Sequence, residues 1–417
     1  MLNIFARAVL SAAATTGARD AALPAYARTR TLQPGQLLGQ LRAAGLAGKG
    51  GGGFPADRKM ALFQARPGAV KYLVVNGSEH EPGSLKDRWL LERHADTVLE
   101  GALCLAAALG ATHLCFAVNA HNAAAHAALE AALAQVRAQP LPLPQLRIAA
   151  VPDVYIVGEE TALLEVLQGR EPLPRRRPPF PIEQGLHGAP TLVHNVETVA
   201  HVPYIVLCGA EAHRGLGPAG KGATLCTFGE EFVHAGVRLV PIGITVRELV
   251  ERWGGGLRCG RAIKAVQPGG PSSGFLAAQQ LDCVFDAASL AAAGSALGCA
   301  AVRAFAEGED MVAAIGRIAD FFEASCCGQC PQCRMETRML AAVVRQVAAG
   351  KGNRKLLEQV PLIVKANVDK GICGLIRMPV APVRSLLQHF DADVARHLEA
   401  AAPAAPGPAG TPTLTAH

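Results

Sequence analysis

The chain is predicted to fold as an α/β domain on a parallel sheet, then a small α+β domain, then a bundle of four helices. Three observations predict this. Short apolar strands alternate with helical segments between residues 71 and 169, the pattern of a parallel sheet covered on both faces. The texture changes near residue 215, at GLGPAGKGA, where short strands and turns take over. From residue 309 to 392 the pattern is helical, with cysteines in the connections.

In order, residues 35–48 (GQLLGQLRAAGLAG) read as a short amphipathic helix, and 48–53 (GKGGGG) as a glycine loop. KYLVVN (71–76) and LCFAVN (114–119) read as buried strands, and LRIAAVP (146–152) as a third strand. Residues 86–109, 120–137 and 158–169 read as the helices between and after them. PLPRRRPPFP (172–181) is too proline-rich to be helical throughout. In the second unit, ITVRELVERWG (244–254) is a helix and AVQPGGPSSG (265–274) a turn. The bundle helices are expected at 309–325, 334–349, 354–366 and 380–392. The boundaries that follow are an N-terminal extension at 1–34, domains at 35–215, 216–305 and 306–395, and a disordered tail at 396–417.

Composition excludes some classes. The 417 residues carry a net charge of only +6, with no basic run interleaved with aromatics, so nothing marks a nucleic-acid binder. The longest uncharged stretch, 101–120, is interrupted by Gly110, Thr112 and His113, so no membrane span is expected. Twelve cysteines with a metal-type motif point to a reducing compartment. The Arg- and Ala-rich N-terminus reads as the extension of a bacterial, cytoplasmic protein; an organellar presequence, with a mitochondrial matrix location, is the alternative.

The most specific chemistry lies in SCCGQCPQCR. Cys327, Cys330 and Cys333 stand at strict three-residue spacing, and Cys373 follows in KGICG. Three thiolates on a turn entering a helix can hold three corners of one inorganic cluster, with the fourth ligand arriving from a distant segment. A structural zinc, which favours two separate C-x2-C knuckles, and a metal-free role are the alternatives. Cys326 abuts the motif, but Gly328 fits better as the turn directly after a ligand at 327.

The glycine loop matches G-x-G-x-x-G only weakly, because it follows a helix rather than a strand. Its consecutive glycines would still bare backbone N–H groups to a planar or phosphorylated ligand. Pro55 suits a helix start, and Lys59 lies one turn further on, within reach of a phosphate. NGSEHEPG (76–83) leaves the end of a predicted strand, where open α/β sheets bind ligands. GEE (158–160) repeats that acidic arrangement.

Taken together, GLAGKGGGGFPADRK, YLVVNGSEHEPGSLKDR, YIVGEETALLEVLQG, RRPPFPIEQGLHGAPTLVHNVET, PGGPSSG, SCCGQCPQCR and GICG resemble one family. It is the NADH-binding flavoprotein of respiratory complex I, its 51-kDa or F subunit. Related diaphorase subunits serve NAD-linked hydrogenases and formate dehydrogenases. The resemblance covers roughly residues 35–395. It implies an FMN-binding α/β domain, a ubiquitin-like domain of the SLBB type and a helical bundle carrying one [4Fe–4S] cluster. It assigns Gly48, Gly50, Lys59, Asn76, Ser78, Glu79, Tyr155, Gly158, Glu159, His194, Asn195 and Thr198 to the flavin. Phe54, Glu81, Glu160, Arg177 and Phe180 would hold NADH, and Cys327, Cys330, Cys333 and Cys373 the cluster. Four positions depart from the family pattern. Ser78 stands for Asp, His194 for Asn, Met60 for an aromatic and His80 for a small residue, which marks a divergent member.

The function expected is hydride transfer from NADH to FMN, then single electrons to the cluster and to a partner protein with further redox centres. No side chain need act as acid or base. The rivals are a wiring component that keeps flavin or cluster without oxidising NADH, and a zinc-stabilised scaffold.

Overall fold

The computed structural model describes residues 23–399, apart from 353 and 368. The first domain is built on a four-stranded, fully parallel sheet: β1 (Tyr72–Gly77), β2 (His113–Asn119), β3 (Gln145–Val151) and β4 (Thr191–Asn195), in the order β3-β2-β1-β4. Side chains alternate across it. Leu73, Val75 and Phe116 face the larger core; Val74, Cys115 and Val193 face a smaller one with Val157 and Leu163. Both faces are covered at β1 and β2, so those strands read as continuous apolar runs, whereas the edge strand β3 keeps Gln145, Arg147 and Ala150 exposed. β4 was not among the strands predicted. Its five residues, TLVHN, are too short and too polar at the ends to stand out from the surrounding loop.

The larger face carries α1 (Pro24–Thr29), α2 (Gln36–Ala43), α3 (Ala56–Gln64), α4 (Lys86–Arg93), α5 (Ala95–Leu109) and α6 (Ala123–Arg137). α7 (Glu160–Leu167) covers the other face, and α8 (Val196–Cys208) follows β4. α5 and α8 approach so closely that a Cβ on Gly101 would sit 2.2 Å from the Val199 carbonyl oxygen. The single helix expected at 86–109 is two, because His94 (φ −141°, ψ 36°) leaves helical backbone and its ring meets Trp89. The proposed separation of residues 1–34 does not hold for its last third. α1 is buried at Ala25 and Tyr26, whose amides donate to the Glu100 carboxylate at 2.6 and 3.1 Å. Residues 1–22 lie outside the described residues.

The second unit is a mixed five-stranded sheet: β5 (Ala223–Phe228), β6 (Gly236–Pro241), β7 (Ile263–Gln267), β8 (Leu276–Ala277) and β9 (Ala301–Ala306), in the order β6-β5-β9-β7-β8. Its core is Phe228, Phe232, Leu249 and Phe285. The helix expected at 244–254 is one α-turn, Val246–Glu248, that continues as a π-helical turn to Trp253.

The C-terminal region holds six helices among the described residues, not four: α9 (Met311–Ala324), α10 (Pro331–Ala348), α11 (Arg354–Glu358), α12 (Val360–Asn367), α13 (Val380–His389) and α14 (Asp391–Glu399). Pro361 explains the first extra break, since it has no N–H to donate and fits the first turn of a new helix. The second falls at Phe390 (φ −125°, ψ 36°), whose buried ring packs on Phe275. α14 also runs past the expected start of the tail at 396; residues 400–417 lie outside the described residues.

Candidate functional site: a glycine-floored cavity beside a thiol cluster

The carboxyl ends of β1 and β4 open onto a cavity of about 370 Å3, a size suited to a cofactor. Gly50, Gly51 and Gly52 form one side. Asn76, Ser78, Glu79, His80 and Glu81 come from the end of β1 and the loop after it, and Asn195 from the end of β4. Tyr155, Ile156, Gly158 and Glu159 come from a 3-10 turn before α7. A Cβ on Gly52 or Gly158 would meet nothing within 4 Å, so both glycines face open space. A Cβ on Gly50 would press on Asn195 at 3.2 Å.

The other two domains close the cavity. Ser272, Gly298 and Cys299 come from the five-stranded unit, and Cys373, Gly374, Leu375 and Met378 from the cysteine-bearing region. Cys373 also lines a small void with Cys326, Cys327, Cys330 and Cys333. Ile156 and Leu375 are likewise shared by both spaces. Cys330 accepts the Ile372 amide at 3.3 Å, which ties the two cysteine segments together. Among the described residues no three His, Cys, Asp or Glu side chains close on a single metal-ion position; the thiols surround a void instead.

Not every residue assigned to the flavin reaches the cavity. Gly50, Asn76, Ser78, Glu79, Tyr155, Gly158, Glu159 and Asn195 line it. Thr198 instead anchors the glycine loop, its hydroxyl accepting the Lys49 amide at 2.9 Å. Gly48 lies at the loop's base, its amide bonded to the Phe54 carbonyl. Lys59 is turned to Glu160 (2.5 Å) and the Val193 carbonyl (2.9 Å) rather than left for a phosphate. His194 is buried on β4 with Nε2 unpartnered; burial, then the Lys59 charge, lowers its pKa to about 3, so it is neutral. Of the dinucleotide residues, only Glu81 lines the cavity. Arg177 pairs with Glu159 and Glu160 at 3.4 and 3.3 Å, while Phe54 and Phe180 are half exposed.

A buried charge network supports the floor and was missed from sequence. Lys86 lies 2.7 Å from Asp87 and 3.1 Å from Glu197, and donates to Asn195 Oδ1 at 3.2 Å. Burial alone would discharge Lys86; the Asp87, Glu197 and Glu79 carboxylates outweigh it and keep the ammonium. Burial lifts Asp87, whereas Glu197 stays ionised against Lys86. Lys86 and Asp87 sit in the quoted motif GSLKDR, but nothing local signals that a lysine there is buried. Cys299 carried no signal at all.

The departures from the family pattern have distinct places. Ser78 donates to Asn76 Oδ1 at 2.5 Å. His80, on the cavity wall, has Nδ1 2.8 Å from Asp153 Oδ1. Met60 is simply core.

Residues 41–204 match the family model described as Nuo51 FMN-binding domain, and 313–397 that described as NADH-ubiquinone oxidoreductase-F iron-sulfur binding region. One of the F subunits of NADH-quinone oxidoreductase in Rhizobium meliloti (strain 1021), numbered 2, is 36% identical over 376 residues, 88% of this chain and 89% of that protein. The chain belongs to the family of NADH-quinone oxidoreductase F subunits. HndC, an NADP-reducing hydrogenase component of Solidesulfovibrio fructosivorans, is 32% identical over 385 residues, covering 89% of this chain and 78% of HndC. The crystal structure of an NAD+-reducing [NiFe]-hydrogenase in the H2-reduced state matches with a TM-score of 0.82 at 32% identity. It covers 89% of this chain, which spans only 64% of that hydrogenase chain. Among the described residues, no helix is long and apolar enough to cross a membrane.

Proposed function

We propose that this chain is the NADH-oxidising flavoprotein of a multi-subunit enzyme, taking electrons from NADH through FMN and a [4Fe–4S] cluster to a redox partner protein. The observation that carries this reading is the shared wall. Cys373 borders both the flavin-sized cavity and the thiol void. The cofactors supply the chemistry, hydride acceptance and single-electron release by FMN and one-electron carriage by the cluster.

The chain's own residues bind and orient. The side-chain-free backbone at Gly50–Gly52 and Gly158 lets a planar ring lie close. Lys86, held by Asp87 and Glu197, fixes the Asn195 amide beside it. Glu81, fixed by the Tyr155 hydroxyl at 2.8 Å, lines the cavity and positions NADH there. Ile156, Leu375 and Met378 form the apolar part of the wall toward the cysteines and keep water from it. Cys327, Cys330, Cys333 and Cys373 hold the cluster. Residues 23–215 form the FMN domain, 216–305 the ubiquitin-like domain and 306–399 the cluster domain. The free thiols suit a reducing, cytoplasmic compartment.

Anaerobic NADH added to purified protein tests this. The flavin absorbance should bleach and ferricyanide should be reduced; bound flavin that stays oxidised overturns the reading. One observation favours a wiring component that no longer takes NADH. Lys59 and Arg177 are both already paired with Glu160. NADH titration of the flavin-loaded protein separates the two, since a wiring component gives no saturable binding.

A further inference from the structure

Five thiols, not four, line the void expected to hold the cluster. The fifth is Cys326, whose Sγ lies 3.7 Å from the Sγ of Cys333 in donor geometry. That separation suits an S–H···S hydrogen bond, and Cys326 sits two residues past the end of α9, in the connection to α10. Cys333 is in the first turn of α10 and its side chain is buried. A second sulfur of the set, Cys330, already accepts the backbone N–H of Ile372 at 3.3 Å. Donors to ligand sulfurs withdraw electron density and favour the more negative, reduced state of an iron–sulfur cluster.

We propose that Cys326 is a positioning residue that donates its S–H to the ligand sulfur of Cys333 and thereby holds the cluster's reduction potential up. The inference rests on the proposed cluster assignment. Nothing is transferred along this bond. The cluster remains bound by the same four thiolates throughout. The functional consequence is directional, since a raised potential makes the cluster a better acceptor from the flavin side.

The test is an EPR-monitored redox titration of the anaerobically purified full chain, with iron and acid-labile sulfide measured on each sample. Cys326→Ala should keep full iron and sulfide yet lower the midpoint. Held at the wild-type midpoint, its reduced-to-oxidised ratio should fall several-fold. Cys326→Ser restores an O–H donor and should bring the midpoint back to the wild-type side. Cys327→Ala should lose the cluster. An unchanged midpoint in Cys326→Ala overturns the proposal. So does lost iron in Cys326→Ala, because Cys326 would then be a ligand. Wild-type protein without acid-labile sulfide overturns the cluster assignment itself, a failure separate from that of the Cys326 bond.

Discussion

The Glu81 carboxylate accepts the Tyr155 hydroxyl at 2.8 Å, and that hydroxyl also lies 3.1 Å from Met378 Sδ. Burial pushes the Glu81 pKa above the ordinary carboxylate range, with the Tyr155 bond opposing it. A carboxylate held this way presents a fixed acceptor. Glu81→Gln should raise KM for NADH about 10- to 100-fold, the size of a lost hydrogen bond to a charged group, while flavin content stays near wild type. Steady-state kinetics beside a flavin assay on the same preparation check this. A parallel loss of flavin would mean that Glu81 serves the FMN site alone. At this scale the sequence was readable where chemistry is local. Three-residue cysteine spacing and clustered glycines declare themselves. The burial of Lys86 and the bracing role of Thr198 did not, because they depend on partners about 110 and 149 residues away.

At the scale of elements, two attachments matter. The glycine loop is tied to α8 through Thr198, and to β5 through Lys49 Nζ, which donates to the Ala223 carbonyl at 3.0 Å. Thr198→Val removes one tie and orphans an N–H. FMN affinity, followed by fluorescence quenching on addition of FMN to the apoprotein, should fall about 5- to 10-fold. The second attachment is α1, whose first amides are capped by Glu100. Burial raises the Glu100 pKa from 4.5 to about 7, against the pull of those amides. Its neutral form is therefore favoured in the fold. That contribution is full below pH 4.5 and is lost as pH rises through 7. Glu100→Gln carries no charge to penalise, so it should gain on the wild type between pH 5 and 8, by up to about 3 kcal/mol. Paired denaturation curves across that range test it; a constant difference would mean that Glu100 does not titrate there. Helix breaks were the part of this scale that periodicity missed. Residues 86–109 and 380–392 are apolar-periodic through their breaks, and only the packing of His94 on Trp89 and of Phe390 on Phe275 marks where the backbone turns.

For the whole molecule, the cavity depends on three domains meeting. Its walls come from β1, β4 and the Tyr155 turn, from Ser272, Gly298 and Cys299, and from the Cys373–Met378 segment. Cys373→Ala should abolish the cluster, read as lost iron and sulfide, yet leave flavin that NADH still bleaches. Loss of both signals would show that Cys373 also holds the flavin wall in place. The sequence by itself determined the chemistry available: four spaced cysteines, a glycine loop and acidic turns at strand ends, all set by covalent spacing and backbone permissiveness. It also determined three of the four strands of the parallel sheet, because two-sided burial writes itself into continuous apolar strands such as β1 and β2. Only the tertiary structure decided that Lys59 faces Glu160, that Thr198 braces the loop, and that Cys373 borders the flavin-sized cavity. Those outcomes depend on which distant side chains share one buried space. Burial and pairing are properties of the packed chain, not of any local stretch of it.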